Sequence, residues 1–211
     1  MFSVEELEKL ENTIKGRMST HRYIHTIGVR DAAKKIAKYC YDGDVSEIVA
    51  AALLHDISKE YSTAEQFDMM KKSGVALTDT DLMSEPIFHS FTAPYVISHD
   101  FEKFATANIV SSVFNHTTGS PDMSLFDEII FVADFIEDNR IYLNCVKVRE
   151  KLYEAFSSAC DVEESIAHLH TATIMALEFT MIDLITNRKC LNERTVATRN
   201  AFLSRVPMLL S

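Results

Sequence analysis

Glycine and proline are scarce in this chain, five and four among 211 residues, and tryptophan is absent. So little punctuation leaves few places for the tight turns of a many-stranded β fold. No linker, internal repeat or low-complexity tract divides the sequence. The four cysteines, Cys40, Cys145, Cys160 and Cys190, form no CxxC pair, which argues against a thiolate zinc site or a dithiol redox motif. They read as reduced thiols in a cytoplasmic protein. No stretch approaches the ~20 consecutive apolar residues of a bilayer span, and glutamates stand early in place of a leader's apolar run, so neither a membrane partner nor a secretory signal is expected. Basic residues are also in deficit, 21 against 31 acidic, for a net charge of -10. That field disfavours a stable nucleic-acid partner, although local cations can still hold a small anion.

What the chain does have is 47% hydrophobic residues at predominantly helical spacing. The expectation is an all-α fold, a compact helical bundle spanning 1–211 as a single domain, with its core over about 19–186 and a less regular tail over 187–211. The first helix is expected within Val4 to Lys15 and the second from Thr20 to Tyr41, ended by Gly43. Asp44 caps a third, with Val45, Ile48, Val49, Ala52 and Leu53 on one stripe. Ser62 opens a helix that stops near Gly74, and Pro86 suits the first turn of one running through His89 toward His99. Further helices are expected over Phe101 to Phe114, over Leu125 to Asp138 behind a Ser124/Asp127 capping box, within Val148 to Ser158, and within Val162 to Thr186.

Against this background His55-Asp56 stands at the end of the apolar run Ile48-Val49-Ala50-Ala51-Ala52-Leu53-Leu54, with His25 upstream and His89, His116 and Asp134 downstream. Imidazole nitrogen with carboxylate oxygen suits divalent iron, manganese, cobalt, nickel or zinc, and four imidazoles with two carboxylates are enough for two ions. One histidine on an apolar helix is more often a hydrogen-bonded core residue than a ligand. A set drawn from separate helices and helix ends is a stronger signal. Adjacent helical residues point about 100° apart, so His55 and Asp56 can face neighbouring ions, with the Asp56 carboxylate bridging them. His21, His99, His168 and His170 read as surface groups or neighbours of the ligands; Arg22 stands where HExxH would need glutamate.

Charge near the ligands comes from Lys59, one turn after Asp56, and from Arg140, for which an ordinary ion pair with Glu137 is the alternative. Thr117, Thr118 and Gly119 form a polar turn whose amides could hold phosphate. Two metals at such a site would activate a water, giving a metal-held hydroxide, and clamp the attacking and leaving oxygens. Lys59 is expected to matter more than Arg140 in offsetting phosphate charge.

These blocks resemble the HD-domain superfamily of metal-dependent phosphohydrolases, and their finer pattern is similar to its YqeK-like branch. The match runs through Arg22-Tyr23-Ile24-His25, Leu53-Leu54-His55-Asp56-Ile57-Ser58-Lys59, His89, His116-Thr117-Thr118-Gly119, Met123-Ser124, Ala133-Asp134-Phe135-Ile136-Glu137 and Arg140, with a weaker echo over Thr195-Val196-Ala197-Thr198-Arg199-Asn200. The resemblance implies a small-molecule nucleotide substrate: symmetrical cleavage of diadenosine tetraphosphate into two ADP at an iron-containing two-metal site. It implies His25, His55, Asp56 and Asp134 around one ion, and Asp56, His89 and His116 around the other, with Arg22 among the substrate contacts. One departure is Asp138-Asn139, where the branch usually has proline and a small residue. Rival readings are an HD phosphohydrolase for nucleoside monophosphates or a cyclic nucleotide, an HD-type di-iron oxygenase, and a non-enzymatic helical scaffold. A homodimer is left open.

Overall fold

Several helix starts are written in the side chains that precede them. Ser3, Ser62 and Ser124 each accept an N–H from three residues on, and Glu6, Glu65 and Asp127 return a bond to the cap backbone, caps of this kind contributing ~1 kcal/mol each. The computed structural model describes residues 1–206, and no strand occurs among them. In chain order the helices are α1 (Val4–Lys15), α2 (Thr20–Cys40), α3 (Val45–Leu54), α4 (Thr63–Ser73), α5 (Asp79–Leu82), α6 (Phe88–Asp100), α7 (Ala107–Asn115), α8 (Leu125–Ile136), α9 (Leu143–Ser158), α10 (Val162–Thr186) and α11 (Glu193–Leu203), with short 3-10 turns at Glu85–Ile87 and Glu102–Phe104.

The core is built around α3. Every residue from Ile48 to Leu54 is buried while Val45, at the first turn, is exposed, so beyond that turn the helix has no solvent face, and the single stripe expected from the sequence is both too narrow and one residue too long. α2 packs on α3 and α8, α7 bridges α3, α6 and α8, and α10 lies against α8, α9, α11 and α2. By length and composition alone α10 could cross a membrane, but here it packs against four helices.

Several boundaries differ from expectation. α2 ends at Cys40 rather than at Gly43, because Tyr41 already turns to extended backbone. Phe101 starts a 3-10 turn, and α7 begins behind the cap Thr106. α8 stops at Ile136, where Glu137 swings to ψ 151°. α9 starts as early as Leu143. The segment read as a less regular tail contains α11, whose Phe202 is fully buried and whose Arg199 bonds Glu178 of α10 at 2.6 Å.

His170 is neither a surface group nor a neighbour of the candidate ligands. Its Nδ1 lies 2.9 Å from both oxygens of Glu128, a fully buried residue of α8, and Thr173 Oγ1 donates to the same carboxylate at 2.7 Å. The imidazole thereby joins α10 to α8. Removing it leaves a buried carboxylate short of a donor, so His170→Ala should lower stability by roughly 2–3 kcal/mol. Urea unfolding checks this, and an unchanged midpoint would show the contact to be energetically idle.

Candidate metal centre

The apolar run of α3 delivers His55 to its C-terminal end, and α7 delivers His116 in the same way. A helix leaves its last carbonyls without intrahelical partners, and both rings use this. His55 Nδ1 donates to Ala52 O at 2.7 Å, and His116 Nδ1 donates to Val113 O at 2.6 Å. A ring whose Nδ1 carries the proton has a bare Nε2. Both Nε2 atoms point into one buried space.

His25, from the second turn of α2, and Asp134, from α8, reach the same space. His25 Nε2 lies 3.3 Å from His55 Nε2, 3.0 Å from Asp134 Oδ1 and 3.6 Å from Asp56 Oδ2, and His55 Nε2 lies 3.4 Å from that same Asp56 oxygen. The other oxygen of Asp56 faces a second set. Oδ1 is 3.1 Å from His89 Nε2 and 3.7 Å from His116 Nε2, and those two nitrogens are 3.0 Å apart. Ligands about 2.1 Å from a common ion stand about 3 Å apart at right angles, so both clusters have the donor spacing of a divalent metal. All six sequence candidates converge.

Chemistry agrees with geometry. Two nitrogen lone pairs at 3.3 Å, beside two carboxylates, call for positive charge between them. Before any metal binds, a proton supplies it: burial pulls the His25 imidazole down, but Asp134, Glu137 and Asp56 outweigh this and raise it to about 9. Burial acts upward on the Asp56 carboxyl, yet His55, His116 and His89 hold it well below the usual carboxylate range. The Asp134 carboxyl is likewise held low, against burial, by Arg140 and His25. The residues present therefore fit divalent ions. The buried His and Asp groups imply them, and Asp56 is the residue whose two oxygens face both positions.

The remaining site residues divide. Arg22 reaches Asp56 Oδ2 and Arg140 reaches Asp134 Oδ1 at 2.7 Å, so Arg140 pairs with Asp134 and not through its side chain with Glu137. Lys59 is committed elsewhere than expected: Nζ donates to Pro86 O at 2.8 Å and lies 3.1 Å from His89 Nδ1. Burial lowers its ammonium from the ordinary value. His89 is the one ring whose tautomer is not set for metal, because a charged Lys59 donating to Nδ1 places the ring proton on Nε2. Arg22, Lys59, Thr117 and Arg140 border a cavity of about 330 Å³ with Asp56, His89, His116 and Asp134.

Thr118 and Gly119, expected at the substrate, are not on that wall. Gly119 takes φ +70° and its N–H bonds Asn115 O, while the buried Thr118 hydroxyl turns to Gly119 O. The His116-to-Gly119 turn is thus mainly a helix terminator. Glu137 was missed as a site residue. It accepts from His25 Nδ1 at 3.2 Å and is held by the N–H and side-chain amide of Asn139, so it sets the His25 ring as the helix carbonyls set the others. That gives Asn139 a purpose, while Asp138 is exposed and lies 3.6 Å from Arg149 Nε, away from the site. Gly28 was the available signal: a Cβ there would meet Glu137 Oε2 at 2.2 Å, and an isolated glycine inside a helix marks a close approach.

Comparison with known proteins follows the same lines. A family model described as HD domain matches residues 22–139, more than half of the chain. A protein of Halalkalibacterium halodurans named "Bis(5'-nucleosyl)-tetraphosphatase, symmetrical" is 29% identical over 90% of this chain and 93% of its own length. One of the same name from Bacillus subtilis is 27% identical over 90% and 94%. The crystal structure of a "predicted HD superfamily hydrolase involved in NAD metabolism" from Clostridium acetobutylicum superposes with a TM-score of 0.80 at 25% identity, covering 97% of this chain and 99% of the other.

Two outcomes follow from this geometry. Asp56→Ala removes an oxygen from each cluster, so it should abolish binding at both positions, whereas His116→Ala should spare the His25, His55 and Asp134 position; metal stoichiometry after loading separates them. With His25 protonated up to about 9, uptake at its position displaces a proton, and apparent affinity should rise about tenfold per pH unit between 6 and 8. Chelator competition at several pH values measures it. A flat profile would mean that His25 is not displaced.

Proposed function

The chain belongs to the HD domain family, and from that premise we propose that this hydrolase splits diadenosine tetraphosphate at its centre into two ADP, with divalent iron at both positions. The carrying observation is the Asp56 carboxylate, one oxygen toward His25 and His55 and the other toward His89 and His116. Two ions held by His25, His55, Asp56 and Asp134 on one side and by Asp56, His89 and His116 on the other would supply an activated water and a clamp on the oxygens at phosphorus. The names of the two bacterial relatives, each aligned over nine-tenths of this chain, support the dinucleotide substrate.

The protein's own groups handle the polyphosphate charge. Arg22 and Arg140 stand on the cavity wall, each with one guanidinium nitrogen paired to a site carboxylate and the side chain still part-exposed, so both can meet phosphate. Lys59 spends its strongest contacts on Pro86 and His89. Its role is to place the His89 ring as much as to meet phosphate, which reverses the order of importance expected from the sequence. Thr117 Oγ1, donating to Ser90 Oγ at 3.0 Å, fixes the wall beside His116.

Product analysis with metal-loaded protein tests the assignment. ADP as sole product supports it, and AMP plus ATP, or no turnover, overturns it. Arg140→Ala should lower turnover on the order of 100-fold, the scale for losing a charge contact made mainly in the transition state, with metal content retained. Lys59→Ala should be milder. Equal, wild-type turnover in both variants would remove these cations from the substrate site.

A further inference from the structure

Beside the metal cavity lies a second hollow of about 490 Å³, bordered by His21, Ile24, Asn139, Ile141 and Tyr142, and it shares Arg22, His25 and Arg140 with the first site or its wall. One stretch of the second hollow's rim is apolar and exposed. Ile141 is 84% exposed, Tyr142 72%, and the neighbouring Leu143 80%. Tyr142 precedes α9 without any side-chain capping bond, so its ring is not needed for the helix start. Exposed large apolar groups gathered in one place mark a binding surface more often than scattered ones do.

The two hollows meet at the guanidiniums of Arg22 and Arg140, which line both. A substrate made of two equal nucleosides joined through phosphates, and cut at its centre, needs one volume on each side of the point of cleavage, with positive charge between them. The geometry points to the hollow at Ile24, Ile141 and Tyr142 as the binding site for the second nucleoside, its base stacked on the Tyr142 ring and its phosphates crossing the two arginines. This rests on the reading of the protein as a dinucleoside tetraphosphate hydrolase. It adds the residues that would make the enzyme prefer a substrate with a nucleoside at both ends over one with a nucleoside at one end.

The test compares diadenosine tetraphosphate with adenosine 5'-tetraphosphate, which has one nucleoside and whose central hydrolysis yields ADP and pyrophosphate. A second nucleoside site gives the former an advantage in kcat/KM. Tyr142→Ala should cut that advantage roughly tenfold, as expected when a stacked base loses its aromatic platform, mainly through KM, and Tyr142→Trp should restore it. Because the chain has no tryptophan of its own, Tyr142→Trp also provides a lone indole that can be excited apart from the tyrosines: the dinucleotide should quench it and inorganic tetrapolyphosphate should not. If the wild type splits diadenosine tetraphosphate but Tyr142→Ala leaves the ratio unchanged, the second site is wrong and the enzyme assignment stands. If the wild type does not split it, both fall. If Tyr142→Ala dissociates a dimer and slows both substrates equally, the apolar rim is a contact between copies, and the nucleoside site is overturned.

Discussion

A carboxylate buried between four imidazoles is the constraint from which the rest of the structure follows. Burying a charge costs several kcal/mol unless it is matched, and before any metal binds Asp56 is matched by Arg22 and the protonated His25 at one oxygen and by the Nε2–H of His89 at the other, while the bare Nε2 atoms of His55 and His116 face it and call for cations between. Those partners arrive on different elements, so the helices must converge where Asp56 sits. The apolar burial of α3 offsets that demand. Ile48, Leu53 and Leu54 are almost wholly removed from solvent, each contributing ~1.5–3 kcal/mol, and they fix the helix whose end carries the pair.

The four rings are not equally prepared. His55 and His116 sit just beyond helix C-termini, where a ring can reach the carbonyl three residues back, and one bond both completes the helix end and bares Nε2. His25 lies inside α2, where the backbone carbonyls are already taken. It therefore needs an outside acceptor, Glu137, and that acceptor needs the missing Cβ of Gly28 to come close. His89 has Lys59 instead, a donor where the other rings have acceptors. Its Nε2 becomes free for metal only when Lys59 gives up that contact or its proton. The second position is consequently less preorganised than the first.

How much of this was legible depended on whether a signal was local. Helix starts at Ser3, Ser62 and Ser124 could be read because a cap and its partner lie three residues apart, and the six convergent residues because their types are chemically unusual together. The part played by Glu137 left only an indirect trace, the isolated glycine at Gly28, since it depends on a contact with a residue more than a hundred positions away. α11 was missed for a related reason. Its burial rests on Phe202 meeting α10 and on Arg199 reaching Glu178, while its own apolar pattern is weak. The turn after His116 divides because Thr and Gly suit both a phosphate loop and a helix terminator: Thr117 borders the cavity, while the Thr118 hydroxyl and the Gly119 N–H are spent within the turn.

That turn also shows why a distant helix bears on the site. Gly119 leaves room for Thr198 of α11, which a Cβ would meet at 2.6 Å, and Thr198 Oγ1 donates weakly to Thr118 O. Arg205 adds bonds to the carbonyls of Pro121 and Met123. At its other end α11 is tied to the buried Asp81 through Asn192 and Arg194, so the connection between α4 and α6 and the loop behind His116 share one brace. Donor atoms drawn from α2, α3, α6, α7 and α8 keep ångström-level spacing only as well as those elements keep theirs, and a site gathered this way depends on supports that never touch it. α11 is such a support: it stands behind the turn that carries His116, one of the two rings at the less prepared position.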